Sequence, residues 1–180
     1  GRTRLFQAFA RMEQQEIMDE IAEAADRLAK AKIGGIIAIE QEVDLLNHVD
    51  HGTPIDAVLS TELLTTVFTP YSPLHDGAVI LQRDRIAYAG SVILRLSESP
   101  AVERSLGTRH RAALGLSEET DALVVVISEE TGQISLAHEG RLHRGLRPDE
   151  LRELLEAGGA AGSPVAELAS ERDGERTTAL

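Results

Sequence analysis

The sequence predicts a single α/β domain of the α+β type, in which helices flank a mixed, mostly antiparallel central sheet. Two stretches of the chain each consist of two apolar runs around a short polar turn, which is typical of β-hairpins. Segments with helical spacing of apolar residues lie before, between and after these hairpins. The chain has 180 residues, of which 42% are hydrophobic, and this length and composition suit one globular core.

The chain is predicted to begin with a helix over 14–30, because apolar residues recur at helical spacing beneath a charged face: Ile17, Ile21, Ala24, Ala25 and Leu28. The next segment, "IGGIIAIE" over 33–40, is a short β-branched run that predicts a buried strand. The stretch 53–68 is predicted to be helical, and Ser60 is suited to be an N-cap before Thr61.

The two hairpins follow in the rest of the chain. In the first, "GAVILQ" and "IAYAGSVIL" surround the turn "RDR", and in the second, "DALVVVIS" and "QISLA" surround "EETG". A helix is predicted between them over 107–116, and another over 148–158, where Pro148 suits a helix N-terminus. Residues 158–180 have few large apolar groups, which predicts a flexible tail. We therefore divide the chain into an N-terminal segment (1–31), a globular domain (32–157) and the tail.

The composition excludes several classes of function. The formal net charge of −12 argues against a long nucleic-acid partner, because binding a phosphate backbone needs a broad basic face. Without cysteine, the chain has no disulfide, thiolate nucleophile or cysteine zinc site. No apolar run approaches the ~20 residues that span a bilayer, so we expect the chain as given to be soluble. A small anionic ligand remains possible, since it needs only a local basic cluster.

Such a cluster stands in "GTRHRAALGL", where Arg109, His110 and Arg111 begin a predicted helix after Gly107 and Thr108. The free amides and positive dipole end of a helix N-terminus favour an anion, and guanidinium groups suit the oxygens of a triphosphate or pyrophosphate. The alternative is a solvated basic patch whose arginines form ion pairs with the two glutamates further along the helix, Glu118 and Glu119.

A second cluster, "SPLHDGAVI", places Asp76 directly before Gly77 and a strand that begins near Ala78. An aspartate at a strand start can hold a divalent cation, and glycine lets a ligand approach the backbone. The alternative is an ordinary Asp-Gly turn. His75 is interpreted as structural. His75 and Asp76 could form the His-Asp pair of metal phosphohydrolases, but that pair lies on a helix with further metal ligands, whereas here Gly77 and a strand follow. The spacing of His48 and His51 could bind a metal, but the pair lies in a polar loop and is interpreted as solvated.

The third cluster is "SEETG", in which Ser128 and Glu129 follow the most apolar predicted strand. A hydroxyl and a carboxylate there can face the same site as the other two clusters, although a β-turn alone also explains the sequence. Together the clusters supply cationic, metal-binding and hydroxyl groups. Metal-assisted phosphoryl or nucleotidyl transfer requires this combination.

Three stretches resemble the diadenylate cyclase domain, and in particular its membrane-anchored bacterial branch. They are "TELLTTVFTPYSPLHDGAVI", "LGTRHRAALGLSEETDALVVVISEETG" and "GRLHRGL". The resemblance runs from about residue 33 to residue 155, and its Asp-Gly-Ala and Arg-His-Arg motifs occur in the order that the family shows. The globular domain over 32–157 is therefore interpreted as a diadenylate cyclase catalytic domain.

The resemblance implies an enzyme that condenses two ATP molecules into 3′,5′-linked cyclic di-AMP, a second messenger, with release of two pyrophosphates. It implies Mg²⁺ or Mn²⁺ as cofactor and a homodimer in which two protomers face each other, each with one ATP. Asp76 matches the metal-binding acid near the attacking 3′-hydroxyl, and Glu129 is a second candidate ligand of the metal. The catalytic set is Asp76, Arg109, His110 and Arg111, and the remaining ATP-binding candidates are Gly77, Ala78, Leu94, Thr108, Ser128 and Glu129.

The family branch also implies a location. Its members carry transmembrane helices ahead of the cyclase domain, so we expect residues 1–31 to be a juxtamembrane segment at the cytoplasmic face of the cell membrane. The early arginines fit that position. One departure from the family pattern is Ile93, which stands where many relatives carry a tyrosine that stacks on adenine. Two rival functions are a domain that senses nucleotides without turning them over and a metal-dependent nucleotide hydrolase.

Overall fold

The computed structural model describes residues 2–100, 102 and 106–158, so the tail predicted after residue 158 lies outside the described residues. The helices are α1 (Arg2–Ala31), α2 (Thr61–Phe68), α3 (Thr108–Glu119) and α4 (Pro148–Glu156), with a short 3₁₀ helix at Leu45–Asn47. The strands are β1 (Gly35–Ile39), β2 (Val49–Asp50), β3 (Thr53–Val58), β4 (Ala78–Gln82), β5 (Arg85–Ile93), β6 (Leu123–Ile127), β7 (Ile134–His138) and β8 (Arg141–Leu146).

The eight strands form one sheet in the order β2-β5-β4-β1-β6-β7-β8, with β3 also paired to β5. β1 runs parallel to β4, while the other pairings in the described part of the chain are antiparallel. The predicted mixed, mostly antiparallel sheet flanked by helices is therefore confirmed, and so are both hairpins, β4-β5 and β6-β7.

The central strands are buried on both faces, and alternate residues divide between two apolar clusters. Ile37 belongs to the cluster that α1, α2 and α4 cover. Ile36 and Ala38, its neighbours along β1, belong to the cluster that α3 covers. This alternation follows from the two-residue period of a strand, which sends successive side chains to opposite faces. The result is three layers, with α3 on one side of the sheet and three helices on the other.

Helix α1 is longer than predicted, since it begins at Arg2 rather than near residue 14. Among the side chains of α1 whose burial the structure describes, the buried ones lie in the C-terminal half, where Ile21 and Leu28 are 1% exposed. Leu5, near the start of the helix, is 60% exposed. The apolar spacing located the part of the helix that packs on the sheet. None of the helices in the described residues is long and apolar enough to cross a bilayer.

The prediction of one helix over 53–68 is wrong in its first part, where Thr53–Val58 forms β3 along β5. Its exposures alternate between half-buried and exposed positions, as expected for an edge strand, and a register shift between Pro54 and Ala57 interrupts the pairing. The second part is the predicted helix. Ser60 caps α2 as expected, because its hydroxyl accepts a hydrogen bond from the Leu63 amide at 3.1 Å.

Strands β2 and β8 were not predicted. β2 has only two residues, which is too short to give a recognisable pattern. β8, "RLHRGL", carries three basic side chains and therefore lacks the apolar character of the other strands. Its pairing with β7 places it at one edge of the sheet.

Helices α1 and α2 are joined through the carboxylate of Glu20. It accepts hydrogen bonds from the Thr61 amide at 2.5 Å and from the Thr61 hydroxyl at 2.6 Å, and Thr61 is buried. We expect Glu20→Ala to lower the free energy of unfolding by about 2 kcal/mol, because the buried Thr61 amide loses its charged acceptor, while the Thr61 hydroxyl keeps only the Glu20 carbonyl at 3.0 Å. Urea unfolding monitored by circular dichroism measures this loss.

The matched control for this prediction is Glu16→Ala, which removes an exposed carboxylate one turn earlier on the same helix. The control should stay within about 0.5 kcal/mol of the wild type, as is usual for a surface substitution. Equal stability of the two variants would contradict the proposed link between α1 and α2.

Candidate active site

A cavity with a volume of about 870 Å³ lies at one end of the sheet. The parallel pairing of β1 with β4 places the starts of both strands at this end. β5 and β6 run antiparallel to these strands, so both of them end there. The first turn of α3 closes the cavity, because Gly107, Thr108, Arg109 and His110 all contribute to its lining.

The cavity brings together most of the residues that the sequence singled out. Two loops, the start of β4 and helix α3 supply them, although they are separated by up to 53 positions in the chain. The lining includes Asp76, Gly77, Ala78, Thr108, Arg109, His110, Ser128 and Glu129. Arg111 and Leu94 are candidates that lie outside this lining. The carbonyl of Arg111 accepts a hydrogen bond from the Ser97 amide, and the Leu94 amide donates to the carbonyl of His48.

Arg109 is held in the cavity wall by two contacts. Its Nη1 lies 3.3 Å from Oε2 of Glu129, which comes from the turn after β6. Its guanidinium also covers Gly34, where a β-carbon would stand 2.7 Å from Cζ and 2.7 Å from Nη1. Only glycine leaves that space, because real β-carbons almost never approach another heavy atom so closely. Gly34 and Glu129 therefore fix the direction of Arg109.

The alternative interpretation of the basic cluster paired its arginines with the glutamates at the end of α3. For Arg109 this pairing is wrong, since its partner is Glu129. Glu118 and Glu119 instead form ion pairs with Arg95, at 3.7 and 3.0 Å. His48 also contacts Glu119, at 3.0 Å. The distant partner of Arg109 was not visible in the sequence, because it depends on where β6 ends in the fold.

His110 is a buried neutral imidazole in the wall of the cavity. It is 7% exposed. Burial lowers the pKa of His110 most, and the positive charges of Arg144 and Arg109 lower it further. A neutral imidazole keeps one donor and one acceptor nitrogen. His110 therefore offers the cavity a hydrogen bond, whereas the positive charge comes from the arginines.

The N-terminus of α3 faces the cavity without a side-chain cap. The N-cap residue is Gly107, which makes no capping hydrogen bond, and its carbonyl accepts from the Arg111 amide at 3.3 Å. The first amides of a helix have no partner within the helix, and the dipole gives this end a partial positive charge. This end of α3 thus adds to the attraction of Arg109 for an anion.

Asp76 is exposed at the cavity, directly before β4. The next residue, Gly77, has φ +103°, and a β-carbon there would lie 2.7 Å from the carbonyl oxygen of Ser91. Glycine is therefore required by the backbone conformation and by the close approach of β5. Asp76 and Gly77 also form a bend in the chain. The two residues therefore make the bend that the alternative interpretation expected and line the cavity as well.

Ser128 organises the turn between β6 and β7. Its hydroxyl accepts a hydrogen bond from the Thr131 amide at 3.2 Å, and its carbonyl accepts from the Gly132 amide at 2.9 Å. The predicted "EETG" turn is therefore confirmed. These contacts hold Glu129 at the mouth of the cavity, where its carboxylate reaches Arg109.

Three further histidines were judged in the sequence to be other than catalytic. His75 contacts the Ser72 carbonyl at 2.7 Å, and His51 contacts the Leu46 carbonyl at 2.8 Å. His48 contacts the carboxylate of Glu119, so each of the three histidines has a hydrogen-bonding partner within the protein. Within residues 2–100, 102 and 106–158, no group of three or more histidine, aspartate or glutamate side chains is arranged to hold a metal ion.

Sequence reasoning missed two charged residues, Arg144 and Glu130, and most of the apolar wall. Arg144 on β8 lines the cavity, but β8 was not recognised as a strand, so its inward positions were not identified. The apolar part of the lining comprises Ile36, Val92, Ile93, Leu96, Leu106, Ala112 and Ile127. Ile93 is only 8% exposed and belongs to the core cluster under α3, so it both packs in the core and borders the cavity.

One wall of the cavity is thus cationic with a carboxylate nearby, and another wall is apolar. A nucleotide has the same two parts, namely a charged phosphate chain and a flat apolar base. A concave, mostly preformed site of this size with few polar groups is typical of small-molecule binding. The fold and the site together define a nucleotide-binding α/β domain.

The chain belongs to the DAC family, which is described as DisA bacterial checkpoint controller nucleotide-binding and whose model matches residues 22–142. The resemblance found in the sequence is therefore confirmed. Cyclic di-AMP synthase CdaA of Bacillus subtilis is 46% identical over 80% of this chain and 52% of its own length. A diadenylate cyclase of Listeria monocytogenes is 43% identical over 79% of this chain and 52% of its own. The chain thus spans about half the length of these relatives.

Solved structures with the same fold agree with this assignment. DacA from Staphylococcus aureus, in a double mutant, is 43% identical and superimposes with a TM-score of 0.77. That match covers 82% of this chain and 97% of the other. A hypothetical membrane spanning protein from Bacillus cereus is 42% identical with a TM-score of 0.68, over 71% of this chain and 62% of the other.

The contact between Gly34 and Arg109 generates a prediction. Gly34→Ala should displace the flexible guanidinium and weaken the binding of inorganic pyrophosphate about tenfold, equivalent to about 1.4 kcal/mol. The free energy of unfolding should change by less than about 1 kcal/mol, because the backbone of Gly34 is not left-handed and the obstructing atoms can move. Isothermal titration calorimetry measures the affinity, and urea unfolding measures the stability.

The control is Gly107→Ala, which adds a methyl group at the same cavity where a β-carbon meets nothing within 4 Å. This variant should keep most of the pyrophosphate affinity. If Gly34→Ala binds pyrophosphate as well as the wild type does, Arg109 either is not displaced or does not contact the anion.

Proposed function

We propose that this chain is the catalytic part of a diadenylate cyclase, which joins two ATP molecules into 3′,5′-linked cyclic di-AMP and releases two pyrophosphates. The observation that carries the proposal is the single cavity that contains Asp76, Arg109 and the uncapped start of α3. Relatives at 43–46% identity are named for this activity. The rival functions, nucleotide sensing and nucleotide hydrolysis, are distinguished by the product.

The oxygen ligands of the cavity fit a divalent cation whose coordination the phosphates of the substrate complete. Asp76 and Glu129 provide two carboxylates in the lining. Mg²⁺ usually binds to one or two carboxylates, substrate phosphates and water, and therefore does not need a cage of protein ligands. We propose that Asp76, with Glu129 as a second ligand, holds Mg²⁺ or Mn²⁺. When bound, the cation lowers the pKa of the attacking hydroxyl and offsets charge on the phosphate.

The protein groups act on the phosphate chain and on the proton of the nucleophile. Arg109 and the first amides of α3, including that of Thr108, bind the phosphate oxygens and offset the charge that grows on the leaving pyrophosphate. The carboxylate of Asp76 accepts the proton of the 3′-hydroxyl. The 3′-oxygen then forms a bond to the α-phosphorus of the opposing ATP, and the bond from that phosphorus to the pyrophosphate oxygen breaks. Two such steps close the ring.

The remaining candidates position the nucleotide. Gly77 and Ala78 bring the backbone of β4 to the cavity, and Ser128 holds the turn that carries Glu129. His110 donates a hydrogen bond as a neutral imidazole. Arg111 acts through its backbone. Its carbonyl accepts a hydrogen bond from the Ser97 amide and so joins the loop after β5 to α3. For Leu94 we retain a backbone contact with adenine, made through its carbonyl because its amide already bonds to His48.

The reaction needs two ATP molecules, and the family resemblance implies that each protomer binds one. We therefore propose that two protomers face each other with their cavities opposed, as a homodimer. Val92, Leu94 and Leu96 are large apolar side chains that are 55%, 65% and 47% exposed beside the cavity, and an apposed protomer would cover them. We also propose that the longer protein is held at the cytoplasmic face of the membrane. The description of the B. cereus neighbour as membrane spanning supports this.

The test of the proposed function is to incubate the protein with ATP and Mn²⁺ and to identify the products by mass spectrometry. Cyclic di-AMP and pyrophosphate are expected. AMP or ADP as the main product would instead indicate a hydrolase, and unchanged ATP with measurable binding would indicate a sensor.

Asp76→Asn should abolish formation of cyclic di-AMP, reducing the rate at least about 100-fold, because an amide neither holds the cation as well nor accepts the proton. Its melting temperature should equal that of the wild type, since the side chain is exposed. Asp84→Asn makes the same chemical change at the exposed β4-β5 turn and should leave the rate unchanged. Substantial cyclic di-AMP from folded Asp76→Asn protein would refute the role of Asp76.

The requirement for two facing protomers predicts a concentration dependence. Activity per subunit should rise with protein concentration until the dimer is saturated, because proximity of the two bound ATP molecules supplies much of the acceleration. The rate is measured across the monomer-to-dimer range determined by sedimentation velocity. A constant rate per subunit across that range would show that one protomer suffices.

A further inference from the structure

Arg144 occupies an inward position on β8, the strand that was not expected from the sequence. The residue lines the cavity and is neither fully buried nor fully exposed. β8 pairs with β7 at the edge of the sheet, so this guanidinium enters the cavity from a different element than Arg109 does. The cavity thus has a cationic group on each of two elements.

Arg109, Arg144 and His110 all line the cavity, and both arginines are close enough to lower the pKa of His110. The charge of Arg144 acts on that imidazole from β8, and the charge of Arg109 acts on it from α3 itself. Glu129 pairs with Arg109, and the carboxylates of Asp76 and Glu130 also line the cavity. Like charges gathered around a buried imidazole cost free energy, and this cost falls when an anion binds among them.

We propose that Arg144 binds the phosphate chain of the nucleotide, opposite Arg109, and that the two guanidinium groups together clamp the anion over His110. A guanidinium has five N–H donors in a fixed plane, so Arg144 can keep contacts within the protein and still donate to phosphate oxygens. The two guanidinium groups at one cavity indicate a phosphate-bearing anion. The identification of that anion as the triphosphate of ATP rests on the proposed function.

The central experiment measures the affinity of Arg144→Gln for inorganic pyrophosphate and for a non-hydrolysable ATP analogue by isothermal titration calorimetry. Both affinities should fall about tenfold or more. Arg144→Lys should recover part of the loss, because it keeps the charge without the planar donors. Adenosine, measured by competition with a fluorescent ATP analogue, should bind the wild type and Arg144→Gln equally, since it has no phosphate.

The matched control is Arg141→Gln, which removes an exposed arginine from the start of the same strand, outside the lining of the cavity. It should bind pyrophosphate and the ATP analogue as the wild type does. If Arg144→Gln binds both as tightly as the control, Arg144 does not contact the anion. If adenosine affinity falls as much as analogue affinity, Arg144 only maintains the shape of the cavity. Either result overturns the proposal.

A second readout does not depend on any ligand or on turnover. In the free protein, an NMR titration of the His110 ring should give a higher pKa in Arg144→Gln than in the wild type, because one of the two facing positive charges has gone. Arg141→Gln should leave the pKa of His110 unchanged. An unchanged pKa of His110 in Arg144→Gln would overturn the placement of Arg144 beside it.

The two readouts also separate this proposal from the proposed function. Binding of the ATP analogue that depends on Arg144, without any cyclic di-AMP from ATP, would refute the cyclase and keep the clamp. Cyclic di-AMP formed at the wild-type KM for ATP by Arg144→Gln would refute the clamp and keep the cyclase. A wild-type protein that binds neither pyrophosphate nor the analogue would refute both.

Discussion

The pairing of β1 with β4 on one side and with β6 on the other is the constraint on which the site depends. Because β1 and β4 are parallel, Gly34 and Asp76 precede strands that start at the same end of the sheet. Because β6 is antiparallel to β1, Ser128 and Glu129 follow a strand that ends there. A shift of one residue in either ladder would turn the alternating apolar side chains to the wrong faces, so burial in two cores fixes this register.

Positively charged groups meet at this end of the sheet, although the chain as a whole is acidic. The chain has a net charge of −12, yet the start of α3, Arg109 and Arg144 meet at one cavity. Glu129 offsets part of that charge and orients Arg109, while Gly34 provides the open surface on which its guanidinium lies. The two arginines and the start of α3 give a small polyphosphate a local cationic surface, whereas the acidic chain lacks the broad basic face that a long nucleic acid needs.

Local patterns in the sequence were enough for much of the fold. Both hairpins, the N-cap at Ser60 and helices α3 and α4 were predicted, because each is specified by neighbouring residues. The pattern failed at β3, where a run compatible with a helix is held as an edge strand by pairing with β5. It failed again for Gly34 and Arg144. Their roles depend on contacts with side chains that are distant in the sequence, and the residues next to them in the chain do not predict such contacts. The grouping of Asp76 with Arg109 was proposed from the chemistry of the sequence clusters, and the family resemblance then assigned their roles.

The most direct test of this account is a crystal structure of the protein with a non-hydrolysable ATP analogue and Mn²⁺. The account predicts an anomalous manganese peak beside the Asp76 carboxylate, with the phosphate chain at the first turn of α3 and within hydrogen-bonding distance of Arg109. It also predicts the base against the apolar wall that includes Ile93. A phosphate chain bound away from α3, or manganese bound away from Asp76 in a fully occupied complex, would contradict the account.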